Sequence, residues 1–335
     1  MTVQIINADC LEALREMPEA SVHCCVTSPP YFGLRDYGHE GQIGLEESPD
    51  AFVARLVEVF REVRRVLRDD GTLWLNIGDS YAGNRRGSEG DCVGLDGSRR
   101  NQAASRAAQR TTASRRRDNH PIPRNDRAFS GIKNKDLIGI PWMVAFALRA
   151  DGWYLRQEII WSKPNPMPES VRDRCTKSHE QLFLLSKSPR YYFDAEAIAE
   201  PATKAGQVIH SYSSGAKDRQ DVTDTNDRRT RIGLSNWNQP CPETRNKRSV
   251  WTVSTKPFSG AHFATFPPAL IEPCILAGCP EGGTVLDPFG GAGTTGLVAD
   301  RLYRNAVLIE ISESYAALAR QRITEDCPLF AEPAA

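Results

Sequence analysis

At 335 residues the chain can bury a sizeable core, as one large domain or two. Its 42 basic and 42 acidic residues cancel, and the composition is that of an ordinary globular protein, so overall charge names no partner. No apolar run is long enough to span a membrane, and Met1-Thr2-Val3-Gln4 lacks the basic and apolar regions of a signal peptide; the expected compartment is the cytoplasm.

Val3 to Ile6 predicts a short strand, and Cys10 to Met17 a helix with Asp9 as N-cap. Val22 to Thr27 is an apolar strand, followed by Ser28-Pro29-Pro30-Tyr31. Two consecutive prolines lack the N–H and fix φ, so sheet pairing stops there. A hydroxyl, a fixed carbonyl and an aromatic face then stand together at a strand's C-terminal end, where open α/β sheets bind ligands. Taken alone, the tetrapeptide is either a turn that ends a strand or a site for a planar group bearing an NH2. Residues 49 to 68 have helical spacing, begun by Ser48-Pro49 and ended by Asp70-Gly71, and Thr72 to Ile77 is the next strand.

Residues 82–130 lose nearly all apolar character, and Asn84 to Arg127 holds 11 Arg against 5 acidic residues. Such a segment cannot fold alone, and its basic excess suits a phosphate backbone. Regular structure resumes with a helix from Ile138 to Ala150 and strands at Trp153 to Trp161 and Gln181 to Ser186. A second polar stretch, residues 203 to 248, carries 9 Lys or Arg against 5 acids. Thr284 to Leu286, Thr294 to Leu302, Ala306 to Ile309 and Ser314 to Ile323 then read as strand, helix, strand and helix. Strands alternating with helices predict an α/β fold with a parallel sheet. Nine cysteines without a CxxC pair read as reduced buried thiols rather than disulfides or a zinc site, and no metal site is expected.

The second informative constellation is Asp287-Pro288-Phe289-Gly290-Gly291-Ala292-Gly293-Thr294-Thr295, a strand end, a glycine turn and a helix start. Glu310 ends the following strand 23 residues after Asp287, a spacing that suits an acceptor for ribose hydroxyls. Asp287 stands where a pyrophosphate would approach, repels phosphate and attracts an ammonium. A nucleoside at one end and an amino acid at the other describes S-adenosylmethionine. The bare alternative is a tight turn without a ligand.

These motifs resemble those of amino-type DNA methyltransferases in the beta arrangement. Ser28-Pro29-Pro30-Tyr31 is similar to the family's catalytic motif, and Asp287 to Gly293 to its cofactor motif. Ala261 to Pro267 is similar to the segment preceding that motif, and Asn7-Ala8-Asp9-Cys10 to the one bordering the adenine. The catalytic motif comes first, which defines the beta order. The resemblance covers about 1–80, 135–195 and 250–325 and implies the class I S-adenosylmethionine-dependent methyltransferase fold, circularly permuted in motif order, with a mostly parallel seven-stranded sheet and one reversed strand.

The implied organisation is 1–81 as the catalytic part of the methyltransferase domain, 82–130 as a basic insertion and 131–195 as the domain's continuation. Residues 196–250 would form a target-recognition region and 251–335 the cofactor-binding part. The implied activity is methylation of the cytosine 4-amino group in double-stranded DNA by base flipping, with adenine N6 as the alternative. Serine at position 28 resembles cytosine-N4 members; aspartate there is usual for adenine-N6 members. Tyr31 would stack on the base, and Ser28 and the Pro29 carbonyl would accept the amine hydrogens, with Pro30 keeping the turn rigid.

The implied cofactor set is Asp9, Cys10, Thr265, Phe266, Pro267, Asp287, Phe289, Gly291, Gly293, Thr294 and Glu310. Asp287 would meet the methionine ammonium or order nearby groups, and Asp9 is otherwise only an N-cap. Arg35, Lys163, Arg228, Arg229 and Arg231 are candidate DNA contacts, although Arg35 and Lys163 read equally as solvated loop residues. His179 and His262 read as structural, since the mechanism needs no imidazole. A homodimer, a cognate restriction endonuclease and association with the nucleoid are the implied partners and setting. Carbon-5 methylation needs a thiolate, and Pro240-Cys241 and Pro273-Cys274 lack the flanking pattern. The rivals are a protein-glutamine methyltransferase, whose motifs run in the reverse order, and a DNA-binding module without catalysis.

Overall fold

The computed structural model describes residues 1–34, 36–39, 41–82, 131–207, 240–255 and 266–326. Most of the basic insertion lies outside them, as do Arg35, Arg228, Arg229, Arg231, His262 and Thr265. The chain forms two compact units, Met1–Phe193 with Ser249–Ala335, and Asp194–Arg248. The bounds of the second differ by two residues at each end from the 196–250 read from sequence.

The larger unit is built on one sheet. Its strands are β1 (Val3–Asn7), β2 (Val22–Thr27), β3 (Leu67–Ile77), β4 (Tyr154–Ser162), β5 (His179–Ser186), β8 (Val250–Thr252), β9 (Thr284–Asp287) and β10 (Asn305–Glu310). They run in the order β1-β10-β9-β2-β3-β5-β4-β8. Among the described strands of this sheet, only β5 is antiparallel to its neighbours, β3 and β4; the other pairs are parallel. The three-residue edge strand β8 makes eight strands among the described residues, where the resemblance implied seven.

Helices α1 (Cys10–Glu16), α2 (Pro49–Val66) and α3 (Ile140–Ala150) pack on one face of the sheet; α4 (Pro268–Gly278), α5 (Thr294–Arg301) and α6 (Glu313–Asp326) pack on the other. Strand alternation sorts the faces. On β3, Leu73, Leu75 and Ile77 enter the core beneath α1 to α3, while Thr72 and Trp74 face α4.

Local chemistry explains most of the boundaries. Ser48 caps α2 by accepting from the Ala51 N–H at 3.2 Å, Pro49 fills the first turn, and Phe52, Leu56, Val59, Phe60 and Val63 bury one stripe. Arg65 in its last turn donates to the Leu14 and Met17 carbonyls, closing the end of α1. The helix stops earlier than Asp70-Gly71 predicts. Leu67 is drawn into parallel pairing with Val22 and is fully buried, so tertiary pairing overrides local propensity. Helix α4 escaped the sequence reading because it is apolar on most sides and contains Pro273.

Five cysteines, at 10, 24, 25, 274 and 279, are buried, and burial pushes the Cys10 and Cys279 thiols up to about 12. Among the described residues no helix is long and apolar enough to cross a membrane. The smaller unit contains the antiparallel pair β6 (Glu200–Pro201) and β7 (Thr244–Arg245), with the Glu200 carboxylate facing Arg245, Lys247 and Arg248.

Gly278 lets α4 approach the sheet. A Cβ there would sit 2.7 Å from Thr72 Oγ1, 2.7 Å from Trp74 Nε1 and 2.8 Å from Cys24 Sγ, all in the buried interior. Gly278→Ala should therefore lower stability by about 1–3 kcal/mol through overpacking, seen as a lower urea midpoint with an unchanged m-value.

Candidate active site at the sheet switch point

β9 connects through α5 to β10 on one side, and β2 connects through α2 to β3 on the other. The adjacent pair β9–β2 is thus the point where strand order reverses, the place where α/β sheets bind ligands. The Pro-Pro turn leaves β2 there and the glycine turn leaves β9 beside it.

Asp287 binds the two together. The residue is 1% exposed. Its Oδ1 accepts from Thr27 Oγ1 at 2.6 Å and from the Phe289 N–H at 3.1 Å, and its Oδ2 accepts from Thr295 Oγ1 at 2.6 Å. Thr295 Oγ1 also lies 3.5 Å from the Val26 carbonyl. One carboxylate therefore joins the end of β2, the start of the glycine turn and the first turn of α5. Burial pushes its carboxyl up, and the donations from Thr27, Thr295 and the Phe289 N–H pull it back.

Gly291 and Gly293 adopt φ of +51° and +77°, which the turn requires. A Cβ on Gly293 would also come 2.8 Å from Ala319 Cβ in α6. Glu310, at the end of β10, accepts from the Gly291 N–H at 2.8 Å and the Ser312 N–H at 2.9 Å. Burial raises its carboxyl, and these two donors oppose the rise. β1 lies parallel to β10, and the Ala8 N–H donates to the Glu310 carbonyl at 3.2 Å, which brings Asp9 to the same edge. Asp9 caps α1, accepting from Leu11 and Glu12. Cys10 points into the core, and Thr294 Oγ1 accepts from Arg322 at 2.9 Å. Phe289, half-buried, packs against the core; Pro267 at the start of α4 is buried, and Phe266 beside it is half-buried.

On the β2 side, the Gly33 N–H donates to the Gly44 carbonyl and the Leu34 N–H to the Tyr31 carbonyl, which fixes the turn after Pro30. The Tyr31 hydroxyl donates to Glu180 Oε2 at 2.8 Å and lies 3.4 Å from Asn76 Oδ1. Burial first, and then Glu180, push its phenol well above the usual range. Its ring packs on Gly78, where a Cβ would intrude to 2.4 Å.

Lys163, expected as a DNA contact or a solvated loop residue, has partners within the protein. Its ammonium pairs with Glu180 and sits 4.1 Å from the centre of the Trp161 ring, with the side chain 17% exposed. Sequence reading missed Thr27, Thr295, Asn76, Gly78 and Glu180. Only the two threonines carried a signal, as hydroxyl residues ending an apolar strand and opening a helix.

The family model described as DNA methylase, N6_N4_Mtase, matches residues 22–321. The chain belongs to this DNA methylase family. It is 44% identical over 320 residues to Type II methyltransferase M.SmaI of Serratia marcescens, covering 96% of this chain and 90% of that protein. It is 45% identical over 319 residues to Type II methyltransferase M.Cfr9I of Citrobacter freundii, covering 95% and 87%. In fold it is similar to PvuII DNA methyltransferase (cytosine-N4-specific), with a TM-score of 0.58, 17% identity and coverage of 97% and 91%. It is comparably similar to a Thermus thermophilus protein solved with S-adenosyl-L-methionine, with a TM-score of 0.57, 22% identity and coverage of 98% and 96%. The DNA methylase is S-adenosyl-L-methionine-dependent and of the class that acts on amino groups.

The residues fit that cofactor chemically. A carboxylate offers about four lone-pair positions. Two on Glu310 are used by Gly291 and Ser312, which leaves acceptors for a pair of ribose hydroxyls. The glycine turn removes the side chains that would keep a nucleoside off the backbone.

Asp287→Asn replaces an acceptor-only group with one whose NH2 faces a donor. It should cost about 1–3 kcal/mol and weaken cofactor binding, measured by urea unfolding and calorimetry. The folded carboxyl is raised, so its contribution to folding is full below the ordinary value of 3.8 and is lost as pH rises through the raised value. The non-titrating variant should therefore trail the wild type most at about pH 4 and less at about pH 8.

Proposed function

We propose that this DNA methylase is a type II modification enzyme that methylates the exocyclic 4-amino group of cytosine in double-stranded DNA. The observation that carries the reading is the junction just described: a strand end with the amine-accepting trio Ser28, Pro29 and Tyr31, fastened through Thr27 and Asp287 to a nucleoside-type glycine turn. Bound S-adenosyl-L-methionine supplies an electrophilic methyl group on a sulfonium centre.

The chain's own residues bind and orient. Glu310 holds the ribose hydroxyls, and Asp9 with Cys10 borders the adenine. Phe289, Gly291, Gly293 and Thr294 shape the pocket, and Thr265, Phe266 and Pro267 bound the methionine end. Both Asp287 oxygens are engaged by protein donors, which supports ordering of the junction as its role rather than contact with the ammonium.

The target base must leave the stack to reach this edge. Tyr31 stacks on it, while the Ser28 hydroxyl and the Pro29 carbonyl accept the two amine hydrogens and aim the nitrogen lone pair. Transfer is direct, and positioning supplies most of the acceleration. A serine rather than an aspartate at position 28 supports cytosine, with the adenine 6-amino group as the competing substrate. The region 196–250, with Arg228, Arg229 and Arg231, and Arg35 after the catalytic turn, are assigned to DNA. The type II designation of the relatives supports a cognate endonuclease, and family resemblance supports a homodimer.

Incubating the protein with genomic DNA and labelled S-adenosyl-L-methionine, then resolving deoxynucleosides by mass spectrometry, should yield N4-methyldeoxycytidine. N6-methyldeoxyadenosine instead would transfer the reading to adenine, and label confined to protein would defeat it. Tyr31→Ala should abolish transfer by at least about 100-fold while leaving cofactor affinity within about twofold.

A further inference from the structure

The Tyr31 hydroxyl has a partner that base stacking does not require. Glu180 is the second residue of β5, the one reversed strand, so its N-terminal end reaches the edge where the other strands finish. Glu180 is paired in register with Trp161 on β4. One of its oxygens accepts from the Tyr31 hydroxyl at 2.8 Å, and the other pairs with the Lys163 ammonium. Lys163 is held in turn over the Trp161 ring, whose Nε1 donates to the Val253 carbonyl at 2.8 Å. Asn76 on β3 completes the set: its Nδ2 donates to the Gln181 carbonyl at 3.1 Å, and its Oδ1 faces the phenol.

Both members of the Glu180–Lys163 pair have side chains only 17% exposed. A pair withdrawn from water this far gains little net stability, because desolvation offsets the attraction. A hydrophobic pair would fill the same space, but it would supply no acceptor for a phenol. The charge pair puts a carboxylate at the hydroxyl end of Tyr31, while Gly78 limits the ring on its other side. The phenol is held at two points, which leaves little freedom for tilt.

We propose that Glu180, charge-balanced by Lys163, is a positioning residue that sets the orientation of the Tyr31 ring against the target base. The proposal rests on the reading of Tyr31 as the stacking residue. The role assigned to Glu180 is exerted through the phenol hydroxyl, with which it is hydrogen-bonded.

The experiment is a double-mutant cycle on single-turnover methylation, with cofactor and DNA affinities measured alongside. Tyr31→Phe keeps the ring and removes the hydroxyl, and Glu180→Ala removes the acceptor. Each alone should slow the methyl-transfer step by about tenfold with both affinities nearly unchanged, since small misplacements at a reacting centre act on rate. The double variant should be no slower than either single. Multiplying effects in the double variant, a wild-type rate for Glu180→Ala, or a loss confined to affinity would each overturn the proposal. If Glu180→Ala fails to fold, Glu180→Met, which fills a similar space without a carboxylate or amide acceptor, takes its place in the same cycle, with the same non-multiplying pattern expected. Retained transfer in Tyr31→Ala would sink the stacking reading itself. An inactive Tyr31→Ala with multiplying effects in the cycle would sink only the role of Glu180.

Discussion

The structure depends on a buried carboxylate. Asp287 lies 260 residues from Thr27 along the chain, yet their side chains meet at 2.6 Å. Burying a carboxylate is costly unless its oxygens are hydrogen-bonded, and here two hydroxyls and an N–H engage both of them. Since those donors come from two strand ends and a helix start, satisfying the charge requires that all three be in place together. The relative position of the Pro-Pro turn and the glycine turn is thereby tied to the stability of the core.

The edge is shared by strands of both directions. Parallel strands deliver their C-terminal residues to it: Thr27 from β2, Asn76 near the end of β3, Asp287 from β9 and Glu310 from β10. The reversed strand delivers its N-terminal end, with Glu180. A parallel sheet alone would bring only strand ends to this edge. The single reversal adds a carboxylate from a strand start, along with the lysine that it captures. Lys163 looked like a cation available for phosphate because it opens a Pro-rich loop. In the fold it is a counter-charge inside the protein.

Glycines act here through space as much as through φ. Gly78 and Gly278 have no unusual φ, but each stands where another side chain needs the room, Tyr31 in the first case and Trp74 with Thr72 and Cys24 in the second. Neither position was marked in the sequence, since a glycine at the end of a strand or a helix has many ordinary reasons to be there. Gly291 and Gly293 were marked, because their turn carries positive φ in a recognisable spacing.

What the sequence determined by itself was local or ordered along the chain. Hydrophobic periodicity located β2, α2, α5 and β10 within a few residues, proline chemistry ended β2 at Thr27, and the order of two short motifs indicated the permuted fold. Each element and each motif is read from residues a few positions apart, where backbone sterics and side-chain pattern suffice, and the order of the motifs is read directly along the chain. Tertiary structure alone decided where polar side chains find partners. It assigned Asp287 to Thr27 and Thr295, Lys163 to Glu180, and Glu180 to Tyr31, and it began β3 at Leu67 by pairing it with Val22. The physical reason is that the energy of a buried charge depends on every donor that reaches it. Those donors come from segments whose distance in sequence says nothing about their distance in the fold.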